Sequence, residues 1–343
     1  HNSHLPGGIH ITKGKLRGVE SCGMLCSFKE LGLTVNDCPT AYEDGIWILN
    51  NEDVEIGEDM NKVIGNDDSI VEFEITNNRP DCYSLIGLAR ETAAAFNVPM
   101  KHHEPVVKGG AEGVLTDLLD VEVPADDLCL RYTARMVRNV KIAPSPKWMR
   151  QRLRSAGVRP INNIVDVTNY ILFGLGQPLH SFDKDKVKGN EVIVKSVAKG
   201  TKFTTLDGVE RELHEDDLMI CNTESPMCIA GVFGGQESGI SDTTTNVFLE
   251  SACFDPVFVR KTARRHGLNT DASFRYERGT DPNIVIYALK LAAMMIKEVA
   301  GGKITCAPID IYPEPVKDFE VFIKYAHVDR LIGKKIDHEV IKN

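Results

Sequence analysis

The sequence predicts an α+β protein of several domains, in which a large central domain mixes strands and helices. Its 343 residues, 42% of them apolar, are enough for two or three domains that each bury a core. Between residues 118 and 313, short segments of strand-like pattern are interleaved with longer segments of helical period. Strands are predicted at residues 119–123, 131–137, 192–197, 217–221 and 246–250.

Three helices of the central domain are bounded by local sequence signals. A capping residue followed by proline favours the start of a helix, and a glycine favours its end. This arrangement predicts helices that begin at Ser145-Pro146, Asp255-Pro256 and Asp281-Pro282 and end at Gly157, Gly267 and Gly301, respectively.

Smaller pieces precede the central domain. Residues 1–45 place glycines between short β-type runs, which is typical of a small barrel whose strands turn sharply. Strands are then predicted at 46–50 and 70–76, and a helix at 84–98, where apolar residues recur with the helical period. Residues 46–100 therefore predict a small α/β piece.

The connection into the central domain and the segment that follows it are also distinctive. Residues 101–117 include a polar, glycine-rich stretch that is typical of a linker. After residue 313, the segment 319–343 predicts a strand, a helix and the start of another helix. Because the chain enters one domain partway through and stops without a cap, we expect it to be part of a longer protein.

Composition and charge narrow the class of function. The net charge of −9 argues against a protein that coats nucleic acid by bulk attraction, so any RNA would have to meet a local basic patch. Two such patches exist, 147-KWMRQRLR-154 and 260-RKTARRH-266, although each also fits the solvated face of an amphipathic helix. No apolar run approaches the ~18 residues that indicate a membrane span. We expect a cytoplasmic protein without a membrane partner.

The cysteines do not indicate a disulfide framework or a metal site. Nine of them, an odd number, are scattered through apolar stretches, where they are typical of small buried hydrophobic residues. Cys22 and Cys26 are the nearest to a metal pair, but no second Cys or His pair follows at zinc-site spacing. We predict no metal site.

Standard enzyme signatures are absent from the sequence. It contains no P-loop, no HExxH, no GxSxG, and no GxGxxG followed by a ribose-binding acid. Four segments nevertheless carry polar residues or glycines that folding alone does not require. They are 157-GVRPINNIVDVTNYILFGLGQPLHSFD-183, 230-AGVFGGQESGIS-241, 246-NVFLESACF-254 and 264-RRHGLNTDASFRYERGTDP-282.

Each of these segments has a structural explanation beside the functional one. The polar residues before His180 could form a buried hydrogen-bond network, and a lone histidine is more often structural. Glycine-rich turns such as the one at Gly234 are common. The carboxylate of Glu250 is costly among apolar neighbours unless it has a partner or a ligand hydroxyl. The charges between residues 264 and 282 could simply be salt-bridged.

Taken together and in this order, the runs 159-RPINNIVDVTNY-170, 174-GLGQPLHSFD-183, 230-AGVFGGQESGIS-241 and 264-RRHGLNTDASFRYERGTDP-282 resemble the editing domain of bacterial phenylalanyl-tRNA synthetase beta subunits. The resemblance covers essentially the whole chain. It implies an OB-type tRNA-binding domain ending near residue 45, a structural domain at 46–100, a linker at 101–117, the editing domain at 118–313, and the start of a winged-helix-like domain at 314–343.

The resemblance also implies an activity and its partners. In this family the alpha subunit makes phenylalanyl-tRNA with ATP and Mg²⁺ in an α2β2 assembly, and the beta editing domain hydrolyses tyrosine wrongly esterified to phenylalanine tRNA. A hydrophobic pocket cannot strongly reject an isostere that adds one hydroxyl, which is why a second, hydrolytic site is needed. No cofactor is expected for editing.

Carried over residue by residue, the family's pocket falls on six positions. Glu250 would accept the tyrosine hydroxyl, Gly234 would leave room for the ring, and His180 and Arg159 would lie near the ester and the terminal adenosine. Thr270 and Ala272 would shape the wall of the pocket. From the basic patch at 260–266, Arg264 and Arg265 are predicted to contact tRNA.

Two other functions fit the same sequence. The chain could be a non-catalytic scaffold that docks tRNA and the alpha subunit, with Glu250 and His180 buried for stability. A free-standing protein that binds an amino acid or a nucleoside is the third possibility, which the pocket motifs permit but the resemblance over the whole chain disfavours.

Overall fold

The computed structural model describes residues 2–49, 54–101, 104–107, 114–305 and 307–342, and it divides into two compact units, His1–Pro313 and Glu314–Asn343. The strands of the first unit are β1 (Ser3–Leu5), β2 (Ile9–Ile11), β3 (Gly14–Leu16), β4 (Val19–Ser21), β5 (Asp120–Glu122), β6 (Cys129–Arg138), β7 (Leu179–Asp183), β8 (Glu191–Ser196), β9 (Lys202–Thr204), β10 (Glu210–Glu212), β11 (Leu218–Cys221), β12 (Pro226–Ile229), β13 (Phe233–Gly234), β14 (Asn246–Phe254), β15 (Lys303–Ile304) and β16 (Ile309–Ile311). Its helices are α1 (Met60–Ile64), α2 (Leu85–Phe96), α3 (Lys147–Ser155), α4 (Val165–Leu175), α5 (Pro256–His266), α6 (Asp271–Tyr276) and α7 (Ile284–Ala300).

Two five-stranded sheets form the centre of this unit. One has the order β13-β12-β11-β8-β5, antiparallel except for the parallel pair of β5 and β8. The other has the order β15-β6-β14-β7, with β16 also paired to β6. The long strand β14 is therefore hydrogen-bonded on both sides, to β6 and to β7. This mixed sheet-and-helix architecture confirms the predicted α+β class.

The two faces of β14 pack against different layers. Successive side chains of a strand point to opposite faces, so Phe248, Glu250 and Ala252 share one face while Val247 and Leu249 share the other. The first face belongs to a core that includes residues of β8, β11 and β12. The second belongs to a core built with residues of α3, α4 and α7. Glu250 thus lies on the face that looks toward the sheet of β8, β11 and β12.

The predicted strands of the central domain are all present, and the helix signals hold to different degrees. Asp255 caps α5 by accepting hydrogen bonds from two backbone N–H groups, and Gly267 ends it in the left-handed conformation. Helix α7 begins at Ile284, two residues later than predicted, and ends at Gly301. The prediction that Ser145 caps α3 is wrong, because its hydroxyl donates to the buried Asp166 carboxylate over 2.6 Å and Pro146 takes the cap position.

The strands predicted at 46–50 and 70–76 are wrong. Residues 46–49 and 70–76 are not in strands, and residue 50 lies outside the described residues. Ile48 and Val71 are more than half exposed. Strands need a hydrogen-bonding neighbour, and no strand of the described chain pairs with either segment. The helix at 84–98 is confirmed as α2, with Ser84 as its N-cap and Asn97 at its left-handed end.

The barrel expected at residues 1–45 is not seen in the described part of the chain. Strands β1 and β2 form one hairpin and β3 and β4 form another, each a separate two-stranded sheet. The N-terminal region is tied to the central domain by arginines of α3. Arg150 donates to the backbone carbonyl of Asp37, and Arg154 donates to the carbonyl of Ile64.

The second unit contains α8 (Tyr325–Ile332) and α9 (His338–Lys342). Both predicted helices are confirmed, but residues 319–324 do not form the predicted strand. Phe319 and Phe322 are largely exposed. Across the described residues, no helix combines the length and the apolar character needed to cross a membrane.

Candidate functional site

A cavity of about 260 Å³ opens at the edge of the first core, where β7, β14, the β12–β13 turn, the middle of α4 and the start of α6 converge. It brings together five of the six residues that the resemblance assigned to the pocket. Its lining consists of Thr168, Asn169, Leu172, Pro178, Leu179, His180, Leu206, Cys228, Gly231, Val232, Phe233, Gly234, Glu250, Thr270, Asp271, Ala272 and Tyr276.

His180 and Glu250 are direct neighbours across two strands. They are paired in the antiparallel register of β7 and β14, so their side chains leave the sheet on the same face. Strand pairing, which brings together positions 70 residues apart in the chain, is thus what places an imidazole beside a carboxylate.

Glu250 is a buried carboxylate with a single protein donor. It is 4% exposed, and the hydroxyl of Tyr132 on β6 donates to its Oε2 over 2.8 Å. Within the described residues, Oε1 has no hydrogen-bond partner. Burial raises the pKa of Glu250 to about 7, and the hydrogen bond from Tyr132 opposes that rise by stabilising the ionised form. The carboxylate is therefore available as an acceptor for one further donor.

His180 is a neutral, half-buried imidazole. Burial lowers its pKa to about 4, because the protonated ring would lose its hydration. Its Nε2 atom is buried and has no hydrogen-bond partner in the described structure. The ring contacts Phe182 edge-on, with centroids 4.4 Å apart. An orphan ring nitrogen in a cavity wall can bind a water molecule or a polar group of a ligand.

Gly234 makes room for the imidazole. A Cβ at this position would lie 2.7 Å from Cε1 of His180 and 2.9 Å from Cδ1 of Leu206, closer than carbon atoms approach without displacement. Its φ angle is not in the left-handed region, so the constraint on this glycine is space and not backbone conformation. Any side chain here would push His180 or narrow the cavity.

Thr270 and Ala272 lie at the start of α6. The Thr270 hydroxyl accepts from the backbone N–H of Ser273 and donates to the carbonyl of Val232 over 2.9 Å, forming half of a capping box. This hydroxyl is thus already used by the fold, and Thr270 can contribute to a ligand only through the shape of the wall. Ala272, half-buried, lines the same wall.

The polar residues of 157–183 divide into two groups. Asn163 and Asp166 form the buried hydrogen-bond network that was the structural explanation. The side chain of Asn163 bonds to three backbone groups, two in the segment 141–143 and one in α7, and Asp166 accepts from Ser145 and from the N–H of Ile161. Asn169 instead lines the cavity, and its side chain forms no hydrogen bond with any described residue. The sequence marked Asn169 only as one polar residue among several.

Two further residues of the site were not predicted. Asp271 lines the cavity at the first position of α6, and the hydroxyl of Tyr132, on the neighbouring strand β6, donates a hydrogen bond to Glu250. Asp271 is adjacent to the predicted Thr270, which is a signal that could have found it. Tyr132 carried no such signal, because it appears in the sequence only as one more residue of an apolar strand.

Arg159 is not brought into the cavity. Its side chain is exposed, does not line the pocket, and forms no hydrogen bond or ion pair with the described residues. Its predicted place near the ester end of the substrate stays a prediction, because the residue is free to meet a ligand that extends beyond the cavity.

The predicted tRNA-contact arginines differ in their surroundings. Arg265 forms an ion pair with the fully buried Asp217, which also accepts hydrogen bonds from Thr262 and pairs with the imidazole of His266. Arg264 is exposed beside Arg260 and Lys261. The salt-bridge explanation thus describes Arg265, while Arg264 remains available to a phosphate.

A possible metal-ligand group lies away from the cavity. Asp81, Cys82 and Glu91 place one ligand atom each within 4.8 Å of one another. Arg79 pairs with both carboxylates, at 2.7 Å from Asp81 and 2.5 Å from Glu91. The guanidinium therefore already neutralises the oxygens that a cation would need.

Residues 128–301, which contain the whole cavity lining, match the family model described as the B3/4 domain. The phenylalanine–tRNA ligase beta subunit of Bacteroides fragilis (strain YCH46) is 49% identical over 348 residues, covering 97% of this chain and 40% of that protein. The corresponding subunit of Clostridium acetobutylicum is 43% identical over 342 residues, covering 100% of this chain and 42% of that protein.

This chain therefore spans about two fifths of the length of these relatives. A solved N-terminal fragment of the phenylalanyl-tRNA synthetase beta subunit from Pyrococcus horikoshii is 18% identical, covering 78% of this chain and 72% of that one. Its TM-score of 0.39 is too low to support an argument about the fold.

Proposed function

This chain belongs to the B3/4 domain family, and from that membership we propose that it hydrolyses tyrosine wrongly esterified to phenylalanine tRNA. The predicted resemblance to bacterial phenylalanyl-tRNA synthetase beta subunits is confirmed by the identity over nearly the whole chain. The proposed reaction is the editing step that removes the wrong amino acid from a tRNA mischarged by such a ligase.

The observation that carries this proposal is the pair of Glu250 and His180 in one cavity wall. A pocket that removes tyrosine but spares phenylalanine must recognise a phenol. Oε2 of Glu250 already accepts a hydrogen bond from the phenol of Tyr132, and Oε1 has no hydrogen-bond partner in the described structure. A tyrosine side chain can satisfy that oxygen, whereas a phenylalanine ring leaves a buried carboxylate facing carbon. Recognition by hydrogen bonding is how large discrimination between such substrates is achieved.

Hydrolysis itself requires little from the protein. An aminoacyl ester is already activated, so a positioned water and a stabilised oxyanion are enough. With a pKa of about 4, His180 is a weak base. It acts by holding a water molecule at Nε2 and does not take up the proton of that water. The hydroxyl beside the ester on the terminal ribose assists the proton transfer. No metal takes part in this scheme.

The remaining parts of the synthetase supply the synthetic reaction. We propose an alpha subunit as partner in an α2β2 assembly, with ATP and Mg²⁺ used at its site and phenylalanine tRNA as the shared substrate. Exposed Arg264 contacts the tRNA backbone, and Arg159 meets the terminal adenosine outside the cavity. The fragment alone should not catalyse phenylalanine-dependent exchange between ATP and pyrophosphate.

One observation favours the scaffold as a second candidate function. The hydrogen bond from Tyr132 gives Glu250 an internal partner, as expected of a carboxylate kept for structure. A scaffold would bind tRNA without accelerating ester loss.

The test is hydrolysis of tyrosyl- and phenylalanyl-esterified phenylalanine tRNA by the 343-residue chain. A hydrogen bond to a charged group contributes roughly 1.5–3 kcal/mol, so Glu250→Ala should lower the ratio of the two rates by about one to two powers of ten. The control is Glu224→Ala, in the exposed turn between β11 and β12. A constant ratio in a folded Glu250→Ala variant would remove Glu250 from tyrosine recognition, and no acceleration by the wild type would favour the scaffold.

A further inference from the structure

Building on the proposed function, we propose that Tyr132 is a positioning residue for substrate selectivity. Its hydroxyl holds Oε2 of Glu250 and favours the ionised form of the carboxylate, which leaves Oε1 as the acceptor for the tyrosine hydroxyl of the substrate. Tyr132 touches no substrate in this arrangement and acts only through Glu250.

The sheet is built so that these two side chains can meet. In the register of β6 and β14, Tyr132 is opposite Ala252 and Glu250 is opposite Ala134. Tyr132 and Glu250 are therefore diagonal neighbours on one face, and across this strand pair each has only a methyl group directly opposite it. Diagonal neighbours lie about 7–8 Å apart at Cα, within reach of a long aromatic side chain. The two alanines leave the space that the phenol crosses to reach the carboxylate over 2.8 Å.

Nothing else in the described surroundings of Glu250 supports its negative charge. The titratable groups that face it or line the same cavity are the thiols of Cys129 and Cys228, the hydroxyl of Tyr276, the imidazole of His180 and the exposed carboxylate of Asp271. Burial keeps both thiols and Tyr276 protonated and His180 neutral. No arginine or lysine is among them.

Tyr276 provides a contrast within the same wall. It is also a buried phenol, but its hydroxyl donates to the backbone carbonyls of Ala252 and Pro178, at 3.0 and 3.3 Å. Tyr276 therefore supports the backbone, whereas Tyr132 supports the carboxylate. Replacing either by phenylalanine removes one buried hydroxyl and almost no volume.

The role of Tyr132 has a consequence for selectivity. Without its hydroxyl, the buried carboxyl group retains its proton to a higher pH. A neutral carboxyl group is a weaker acceptor for the substrate phenol and does not repel a phenylalanine ring as a buried charge does. Preference for tyrosyl over phenylalanyl ester should then be lost at neutral pH and return as the carboxyl group ionises at higher pH.

The experiment measures the ratio of the two hydrolysis rates from pH 6 to 8.5, corrected for spontaneous ester loss. In the wild type the ratio should rise as Glu250 ionises. In Tyr132→Phe, the midpoint of this rise should move up by about one pH unit or more, which corresponds to a ratio lower by roughly fivefold or more at pH 7. Tyr276→Phe should leave the midpoint in place. In a Glu250→Gln background, where the ratio no longer titrates, adding Tyr132→Phe should change nothing further.

The outcomes separate this inference from the proposed function. If the wild type shows no preference for tyrosyl ester, the proposed function fails. If the wild type has that preference and Glu250→Gln abolishes its titration, but Tyr132→Phe keeps the wild-type midpoint or shifts it no more than Tyr276→Phe does, the positioning role of Tyr132 is refuted. Should Tyr132→Phe not fold, 3-fluorotyrosine at position 132 keeps the hydroxyl and makes it a stronger donor. The midpoint should then move down, and an unchanged midpoint would refute the role.

Discussion

Replacing Glu250 by glutamine should stabilise the protein, and increasingly so as the pH rises. The carboxyl group has a pKa of about 7 in the folded state because it is buried, against a reference value of 4.5. The native state therefore binds this proton more tightly than the unfolded state does. Stability from this group is fully present below pH 4.5 and is lost as the pH rises toward 7. Glutamine has the same shape, can still accept from Tyr132, and does not ionise.

The magnitude follows from the shift in the pKa of Glu250. A difference of about 2.5 units between the unfolded and folded states corresponds to roughly 3 kcal/mol, most of it expressed between pH 5 and pH 8. Because the side chain is 4% exposed, little solvent screening reduces this figure. The advantage of Glu250→Gln over the wild type should therefore be about 2–3 kcal/mol larger at pH 8 than at pH 5. A carboxylate retained at that cost is typical of a functional site.

Urea denaturation followed by circular dichroism at the two pH values provides the measurement. Other titrating groups contribute equally to the wild type and to the variant, so they cancel in the difference. Glu224→Gln, at an exposed turn, is the control and should show the same difference from the wild type at both pH values. If the advantage of Glu250→Gln is equal at pH 5 and pH 8, the carboxyl group is not held in its protonated form by burial, and the electrostatic account of the cavity is wrong.

Three more predictions concern other residues of the site. Burial lowers the pKa of His180 to about 4, so the native state resists protonation, and the wild-type stability should fall relative to that of His180→Gln by roughly 3 kcal/mol as the pH drops from 6.5 to 4. If urea denaturation gives the same difference in unfolding free energy at both pH values, this prediction is wrong. Gly234→Ala should lower the stability by about 1–3 kcal/mol and slow tyrosyl-tRNA hydrolysis, while the control Gly239→Ala, whose Cβ would meet its nearest neighbour at 3.4 Å, should do neither. Equal shifts of the melting temperature in the two variants would refute the steric argument. Arg264→Ala should reduce the salt dependence of tRNA binding without loss of stability, whereas Arg265→Ala should lower the melting temperature because it leaves the buried Asp217 without its guanidinium partner. If salt titration and thermal melting give the reverse result, the roles of the two arginines are exchanged.

Local sequence signals were sufficient to predict an element whose stabilising hydrogen bonds lie within a few residues of one another in the chain. Helix α5 begins and ends as predicted, because its cap at Asp255 and its glycine at Gly267 satisfy backbone groups of the same helix. Ser145 has the same kind of signal, but its hydroxyl is engaged by Asp166, 21 residues later in the chain. A capping residue predicts a cap only when no stronger partner reaches it through the fold.

Strands depended on partners that local sequence does not show. The segment 246–250 became the centre of a sheet because β6 and β7 bond to it on both sides, while 70–76, with an equally strand-like pattern, has no partner among the described residues. A strand is stabilised by hydrogen bonds to another part of the chain, so its pattern indicates what a segment can do and not whether the neighbour is present.

The sequence by itself determined the family and predicted six residues of a pocket, because the order of four motifs is specific. The tertiary structure alone decided which of them meet and in what charge state. Cross-strand register placed His180 beside Glu250, packing excluded water from both, and Tyr132 reached the carboxylate from a strand that carried no functional signal. Protonation and hydrogen bonding depend on distance and burial in three dimensions, and residues 118 positions apart in the chain acquire both only when the sheet forms.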